Sequence, residues 1–155
     1  MSILKRLRED YSSLFETLNK VNYKAYGSHL KYEESRIAWC DELKIGLRIH
    51  QYIQDDIFDS FLSAQISNEI NKKHILLNYQ LIERSIWVLE NEKLTAHDWY
   101  KKALLLKNLT VETLNVEKGI VLDLIENTYD EQEQQKIGWN YTQTKLDIFS
   151  QWLCI

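Results

Sequence analysis

The chain has 155 residues, contains no proline and only four glycines, and is 45% hydrophobic. This length and apolar content suffice for one hydrophobic core, so we expect a single helical domain over residues 1–155. The formal net charge is −4 and the basic residues form no long stripe, which argues against nucleic acid as a direct partner.

The sequence shows no segment that is long and apolar enough to enter a membrane. The longest apolar runs, such as 103–106, are far below the roughly 18 residues of a membrane span, and no apolar stretch follows the basic residues near the N-terminus. Cys40 and Cys154 are isolated from each other and have no C-x-x-C spacing. We therefore expect no membrane association, no signal peptide and a cytoplasmic location.

The scarcity of helix-breaking residues predicts an all-α fold, a single compact helical bundle of five to seven helices. The first helix is predicted over residues 3–24, with Ser2 as its N-cap and Gly27 as its stop. Its apolar stripe repeats every three or four residues and consists of Leu4, Leu7, Tyr11, Leu14, Leu18 and Val21.

Residues 36–53 allow two interpretations. Apolar residues alternate with polar ones from Leu43 to His50, as in a half-buried strand, which would give an α+β fold with a short hairpin near Asp41 and Glu42. The same region also shows apolar residues at steps of four, from Ile45 to Phe61, without a glycine, proline or asparagine between Leu47 and Ser67. Helix is the favoured interpretation.

The second half of the chain predicts three further helical segments. Residues 68–73 are a plausible break before a helix over about 74–92, which is apolar on more than one face and therefore expected to be the most buried. Thr95 is the expected N-cap of the next helix, which is expected to bend or restart near 108–110. A last helix is predicted from Asp130 to about Leu153.

Some histidine and carboxylate residues have spacings that could suit a metal site. His29 and Glu33 are four residues apart, a helical spacing that could share a metal, and His50 and His74 are further candidate ligands. No histidine is preceded by glutamate three residues earlier, as a ferritin-type di-iron site requires. We therefore predict no metal and no cofactor.

Catalytic motifs are equally sparse. Arg48-Ile49-His50-Gln51-Tyr52 is similar to the arginine and His-x-Tyr of small helical RNases from toxin and antitoxin pairs, but those proteins place the arginine four to six residues before the histidine and Arg48 stands two before it. The four glycines form neither a phosphate-binding loop nor a nucleophile elbow. We expect no enzymatic activity and no catalytic residue.

Aromatic and acidic residues carry the functional hypothesis. Five tryptophans and nine tyrosines are more than a core of this size needs, and both types are enriched at protein interfaces. Partial exposure is expected for Trp39, Trp99, Trp139 and Tyr26 or Tyr129. Two basic-free stretches supply the acidic candidates, and with one tryptophan the expected partner-binding residues are Asp55, Asp56, Asp59, Glu126, Asp130, Glu131, Glu133 and Trp139.

These residues predict an acidic helical protein-binding module, such as an inhibitor or immunity-type protein that neutralises a basic toxin or nuclease. One alternative is a helical bundle that holds a metal or haem through histidine and carboxylate residues, as a sensor or oxidoreductase. Another alternative is a structural subunit of a homo-oligomer, whose acidic or aromatic surface is its self-contact.

Overall fold

The computed structural model describes residues 2–21, 30, 32–57 and 69–153, and every structural statement below refers to these residues. They form five α-helices and no strand, which confirms the all-α bundle. The helices are α1 (Ile3–Asn19), α2 (Glu33–Ile57), α3 (Glu69–Asn91), α4 (Ala96–Thr128) and α5 (Glu131–Leu153).

Two predicted N-caps are confirmed. The Ser2 hydroxyl accepts a hydrogen bond from the Lys5 amide at 3.4 Å, and the Thr95 hydroxyl accepts one from the Asp98 amide at 3.2 Å. Each bond satisfies one of the amides that a first helical turn leaves without a backbone partner.

The predicted end of α1 at residue 24 is wrong, because the helix ends at Asn19. The amides of Lys20 and Val21 bond the carbonyls of Thr17 and Leu18, three residues back, which tightens and closes the last turn. Val21 is nevertheless buried, so its place in the apolar stripe reflects packing just beyond the helix.

Residues 36–53 are helical throughout, so the hairpin alternative is wrong. A half-buried strand would bury Leu43, Ile45, Leu47 and Ile49 together, whereas Ile45 is exposed and Leu43 and Leu47 share the buried helical face with Ile53. The 3.6-residue period therefore prevails over the local alternation.

The predicted break before α3 and the predicted restart of a helix near 108–110 are also wrong. Residues 69–73 belong to α3, and α4 continues without a break through 108–110. The Thr110 hydroxyl donates to the Leu106 carbonyl at 2.7 Å and the Thr113 hydroxyl to the Leu109 carbonyl at 2.8 Å. These bonds satisfy both hydroxyls inside the helix, which removes their tendency to end it.

The first four helices form a ring in which each packs against two neighbours: α1 against α2 and α4, and α3 against α2 and α4. The helix α5 lies outside this ring and packs against α1 and α2. Neighbours in the ring run antiparallel, as shown for α1 and α2 by the contacts of Thr17 with Glu42 and of Tyr11 with Gln54. The C-terminal ends of α2 and α4 therefore lie at the same end of the bundle.

The helix α3 is not the most buried element, contrary to expectation. Tyr79, Ile82, Ile86 and Leu89 face the core, but the opposite side also carries large apolar side chains. Four of them are more than half exposed, namely Leu76, Leu77, Leu81 and Trp87. Apolar residues on several faces of a helix thus do not by themselves indicate full burial.

Candidate functional site

A buried polar cluster lies at the centre of the four-helix ring. Glu117 of α4 accepts hydrogen bonds from the hydroxyls of Tyr11 in α1, at 2.8 Å to Oε1, and of Tyr79 in α3, to Oε2. His50 Nε2 of α2 lies 2.6 Å from Oε1, and Gln54 Nε2 donates to the Tyr11 hydroxyl at 2.8 Å. One carboxylate therefore joins all four helices of the ring.

The charge of Glu117 is stabilised by these contacts. Burial acts to raise the pKa of its carboxyl group, but the hydrogen bonds from His50, Tyr79 and Tyr11 and the charge of His50 outweigh it, so the pKa lies below its usual range. The pKa values of Tyr11 and Tyr79 lie far above the ordinary tyrosine value. Burial is the largest cause, and the adjacent charge of Glu117 is the second. Both tyrosines therefore remain neutral donors at physiological pH.

The arrangement is that of a structural cluster. His50 and Glu117 are both buried, so the His50 imidazole does not face solvent. In the described part of the chain, no group of three or more histidine, cysteine, aspartate or glutamate side chains is placed to hold a metal. Glu33 and His74 are exposed on different helices, and His29 lies outside the described residues.

Glu117 was not among the predicted site residues, although the sequence of α4 held one signal for it. It occupies a buried position in the apolar stripe of α4, between Leu114 and Val121. A carboxylate at such a position requires partners, because a buried charge without hydrogen bonds is costly. The partners themselves lie 38, 67 and 106 residues away, beyond the reach of local patterns.

The acidic candidates lie towards one end of the bundle. Asp55 and Asp56 are exposed near the end of α2, Glu126 is exposed near the end of α4, and Glu131 opens α5. Asp56 borders α5, where its carboxylate lies 3.5 Å from the Thr144 hydroxyl. Asp59 lies outside the described residues. The same end carries exposed cationic side chains, so its surface is mixed in charge; they include Lys5, Arg8 and Lys73.

Two of the acidic candidates have a structural role. The Glu133 amide donates to the Asp130 carboxylate at 2.8 Å, and the Asp130 amide donates to the Glu133 carboxylate at 3.2 Å. This reciprocal pair is a capping box that fixes the start of α5. Glu126 and Glu131 remain as exposed acidic side chains beside it.

The predicted exposure of the aromatic residues is confirmed for one tryptophan and wrong for two. Trp139 is exposed, with 65% of its surface accessible, as predicted. Trp39 and Trp99 are buried, so their predicted exposure is wrong: the Trp39 indole donates to the Thr17 carbonyl at 2.8 Å and packs edge-on against Trp99. Tyr129 is half-buried against the core, and Tyr26 lies outside the described residues.

Six of the exposed large apolar side chains of the described residues lie on two helix faces, one on α5 and one on α3. The α5 stripe consists of Trp139 and Leu146, which are seven residues apart and so share one face of that helix. The α3 face consists of Leu76, Leu77, Leu81 and Trp87. Trp87 also lines a groove of about 580 Å³ between α2 and α3, together with Arg48 and Arg84.

Comparison of the chain with protein-family models, with curated proteins and with solved structures found no significant match. Within the described residues, no helix combines the length and the apolar character that crossing a membrane requires.

Proposed function

We propose that the protein is a non-enzymatic binding module that docks a basic protein through the outer surface of α5. The observation that carries this proposal is the exposure of Trp139 on α5, the helix whose first turn is acidic. Trp139 leaves 65% of its surface accessible to solvent, far more than a side chain that serves the core. Tryptophan is the residue type most often found as the energetic centre of protein interfaces.

The acidic residues supply the preference for a basic partner. Glu131 is eight residues before Trp139, which places it about 12 Å away along the helix axis, and Glu126 is exposed at the end of α4. Carboxylates around an apolar anchor accelerate encounter with a cationic surface and then fix its orientation. Asp55 and Asp56 extend the negative charge at this end of the bundle, on another side of α5.

An inhibitor or immunity-type protein that neutralises a basic toxin or nuclease fits this surface best. Such a protein needs a rigid scaffold, and the bonded Glu117 cluster and the capping box at Asp130 and Glu133 provide one. We place this activity in the cytoplasm, where the free, buried thiol of Cys40 would remain reduced.

The test is affinity capture with matched variants. Immobilised wild-type protein, Trp139→Ser and Leu105→Ser are each incubated with an extract of the cells that carry the gene, and the bound proteins are identified by mass spectrometry. Leu105 is an exposed leucine on α4 and controls for the loss of apolar surface alone. We expect a basic protein that wild type and Leu105→Ser retain and Trp139→Ser loses.

The acidic contribution is tested separately with Glu126→Gln combined with Glu131→Gln, which leaves the capping box intact. This variant should retain less partner, and raising the salt from about 50 mM to about 500 mM should weaken wild-type binding towards the same level. If the same proteins bind wild type and Trp139→Ser, the α5 surface is not the docking site.

A further inference from the structure

The groove between α2 and α3 brings together two arginines from different helices. Arg48 of α2 and Arg84 of α3 both line its volume of about 580 Å³, and both are exposed to solvent. Among the ion pairs of the described residues, none includes either guanidinium group. Their hydrogen-bond donors are therefore available to an anion that enters the groove.

The pair formed by Lys44 and Glu90 shows how the two helices align along the groove. The Lys44 ammonium group donates to both oxygens of the Glu90 carboxylate, at 3.2 and 2.9 Å, so these two charges compensate each other. From this pair, Arg48 lies about 6 Å further along α2, and Trp87 lies about 4.5 Å away along the antiparallel α3. Arg48 and the Trp87 indole therefore line the groove at nearly the same level.

Positive charge predominates in this groove, although the whole chain has a net charge of −4. With Lys44 and Glu90 paired, the other charged residues of the lining are Arg48, Arg84 and Glu83, so one positive charge is in excess. The pKa of Lys44 lies above its usual range because of its hydrogen bond with Glu90, and the charge of Arg48 opposes this shift. The two cations of α2 therefore repel each other, and an anion bound at Arg48 would offset this repulsion.

Trp87 supplies an apolar wall beside these cations. It leaves 58% of its surface accessible, whereas Leu47 and Ile86, which line the same groove, are buried. An exposed indole offers a face on which another flat ring can stack. Gln51 and Gln80 also line the groove, and their amides can donate to or accept from polar atoms at the edge of such a ring. The lining thus combines groups that recognise a negative charge with groups that recognise a ring.

We propose that this groove binds a small molecule that carries a carboxylate or phosphate group attached to a flat ring. Arg48 and Arg84 hold the anionic group through charge-assisted hydrogen bonds, and the ring stacks on Trp87. The volume of the groove is within the range of small-molecule sites. Its lining belongs to α2 and α3, so this site is separate from the α5 surface that we propose to dock a basic protein.

The first test is an NMR titration of isotope-labelled protein, followed through the indole N–H signals of the tryptophans. Adenosine monophosphate and naphthoate join an anion to a flat ring, whereas adenosine lacks the anion and ribose phosphate lacks the flat ring. We expect at least one of the first two to shift the signal that Trp87→Leu lacks, with a dissociation constant of about 1 mM or lower. The signal that Trp139→Leu lacks should stay in place, and adenosine and ribose phosphate should bind at least about tenfold more weakly.

The second test compares arginine variants. Arg48→Gln and Arg84→Gln should each raise the dissociation constant at least about fivefold, as should an increase in salt from about 50 mM to about 500 mM for wild type. Arg8→Gln is the matched control, since it removes an exposed arginine of α1 outside the groove, and it should bind as wild type does.

Two results would overturn the proposal. One is that neither adenosine monophosphate nor naphthoate shifts the Trp87 signal at concentrations up to about 5 mM. The other is that ribose phosphate binds as tightly as adenosine monophosphate, because the indole would then recognise no ring. Neither result depends on Trp139, so failure here does not bear on the α5 docking surface.

Discussion

Glu117 of α4 and His50 of α2 form a contact of 2.6 Å in the centre of the bundle, between helices that are diagonal in the four-helix ring. Two tyrosines from the remaining helices donate to the same carboxylate. A single glutamate thereby fixes the relative positions of four helices, because its hydrogen bonds are satisfied only when all four are in place.

Replacement of Glu117 should therefore destabilise the whole bundle. Glu117→Gln keeps the size of the side chain but removes the charge and turns one acceptor into a donor that faces a tyrosine hydroxyl or His50. We expect the free energy of unfolding to fall by about 2–4 kcal/mol, as measured by urea denaturation.

Glu126→Gln is the matched control, since it makes the same substitution at an exposed position of the same helix. Its effect should remain within about 0.5 kcal/mol. Equal destabilisation by the two variants would mean that the buried contacts of Glu117 contribute nothing specific.

The stability conferred by Glu117 should also depend on pH. The folded-state pKa of this carboxyl group lies below its unfolded value, so its contribution is present above the unfolded value of about 4.3 and is lost as the pH falls through the folded value. The melting temperatures of wild type and Glu117→Gln should differ at pH 7 and converge at increasingly acid pH. A difference that stays constant from pH 7 to pH 2 would contradict the lowered pKa.

Local patterns were sufficient for some elements and insufficient for others. In α1, one apolar stripe and the Ser2 cap predicted where the helix begins, because both signals act within a few residues. In α3, apolar residues occur on several sides, and only the positions of α2 and α4 decide that Tyr79 faces inwards and Trp87 outwards. The partners of Glu117 lie up to 106 residues away in the sequence. Tertiary packing brings them together, so no local pattern indicates them.

The burial of Trp39 and Trp99 illustrates the same limit. Tryptophan is suited both to cores and to interfaces, so its presence alone did not distinguish them. Trp39 is buried, and its indole nitrogen donates to the Thr17 carbonyl near the end of α1. Trp139 stays exposed because α5 lies outside the ring and turns this side away from α1 and α2.

The helical glycines Gly119 and Gly46 should differ in their response to alanine. An added Cβ at Gly119 would meet no atom within 4 Å, so Gly119→Ala should raise the free energy of unfolding by about 0.5–1 kcal/mol through the lower helix propensity of glycine. At Gly46 the added Cβ would lie 3.2 Å from Leu14 Cδ2, between α1 and α2, so the same gain is offset by displacement of a buried leucine.

Urea denaturation of both glycine variants beside wild type checks this prediction. We expect Gly119→Ala to be more stable than Gly46→Ala. If Gly46→Ala were the more stable protein, the close approach of α1 and α2 at this position would not constrain the side chain.

Cys40 should be protected from thiol reagents until the bundle opens. Burial raises the pKa of its thiol to about 12, with further contributions from the charges of Glu90 and Asp41 that Lys44 partly opposes. Because the thiolate is the reactive form, both its scarcity and its burial slow the reaction. In a Cys154→Ser background, labelling at pH 8 should be at least about 100-fold slower than in urea, and Glu117→Gln should accelerate it by populating open states. Labelling of the folded protein at the rate of the denatured chain would show that α2 does not hold Cys40 inside the core.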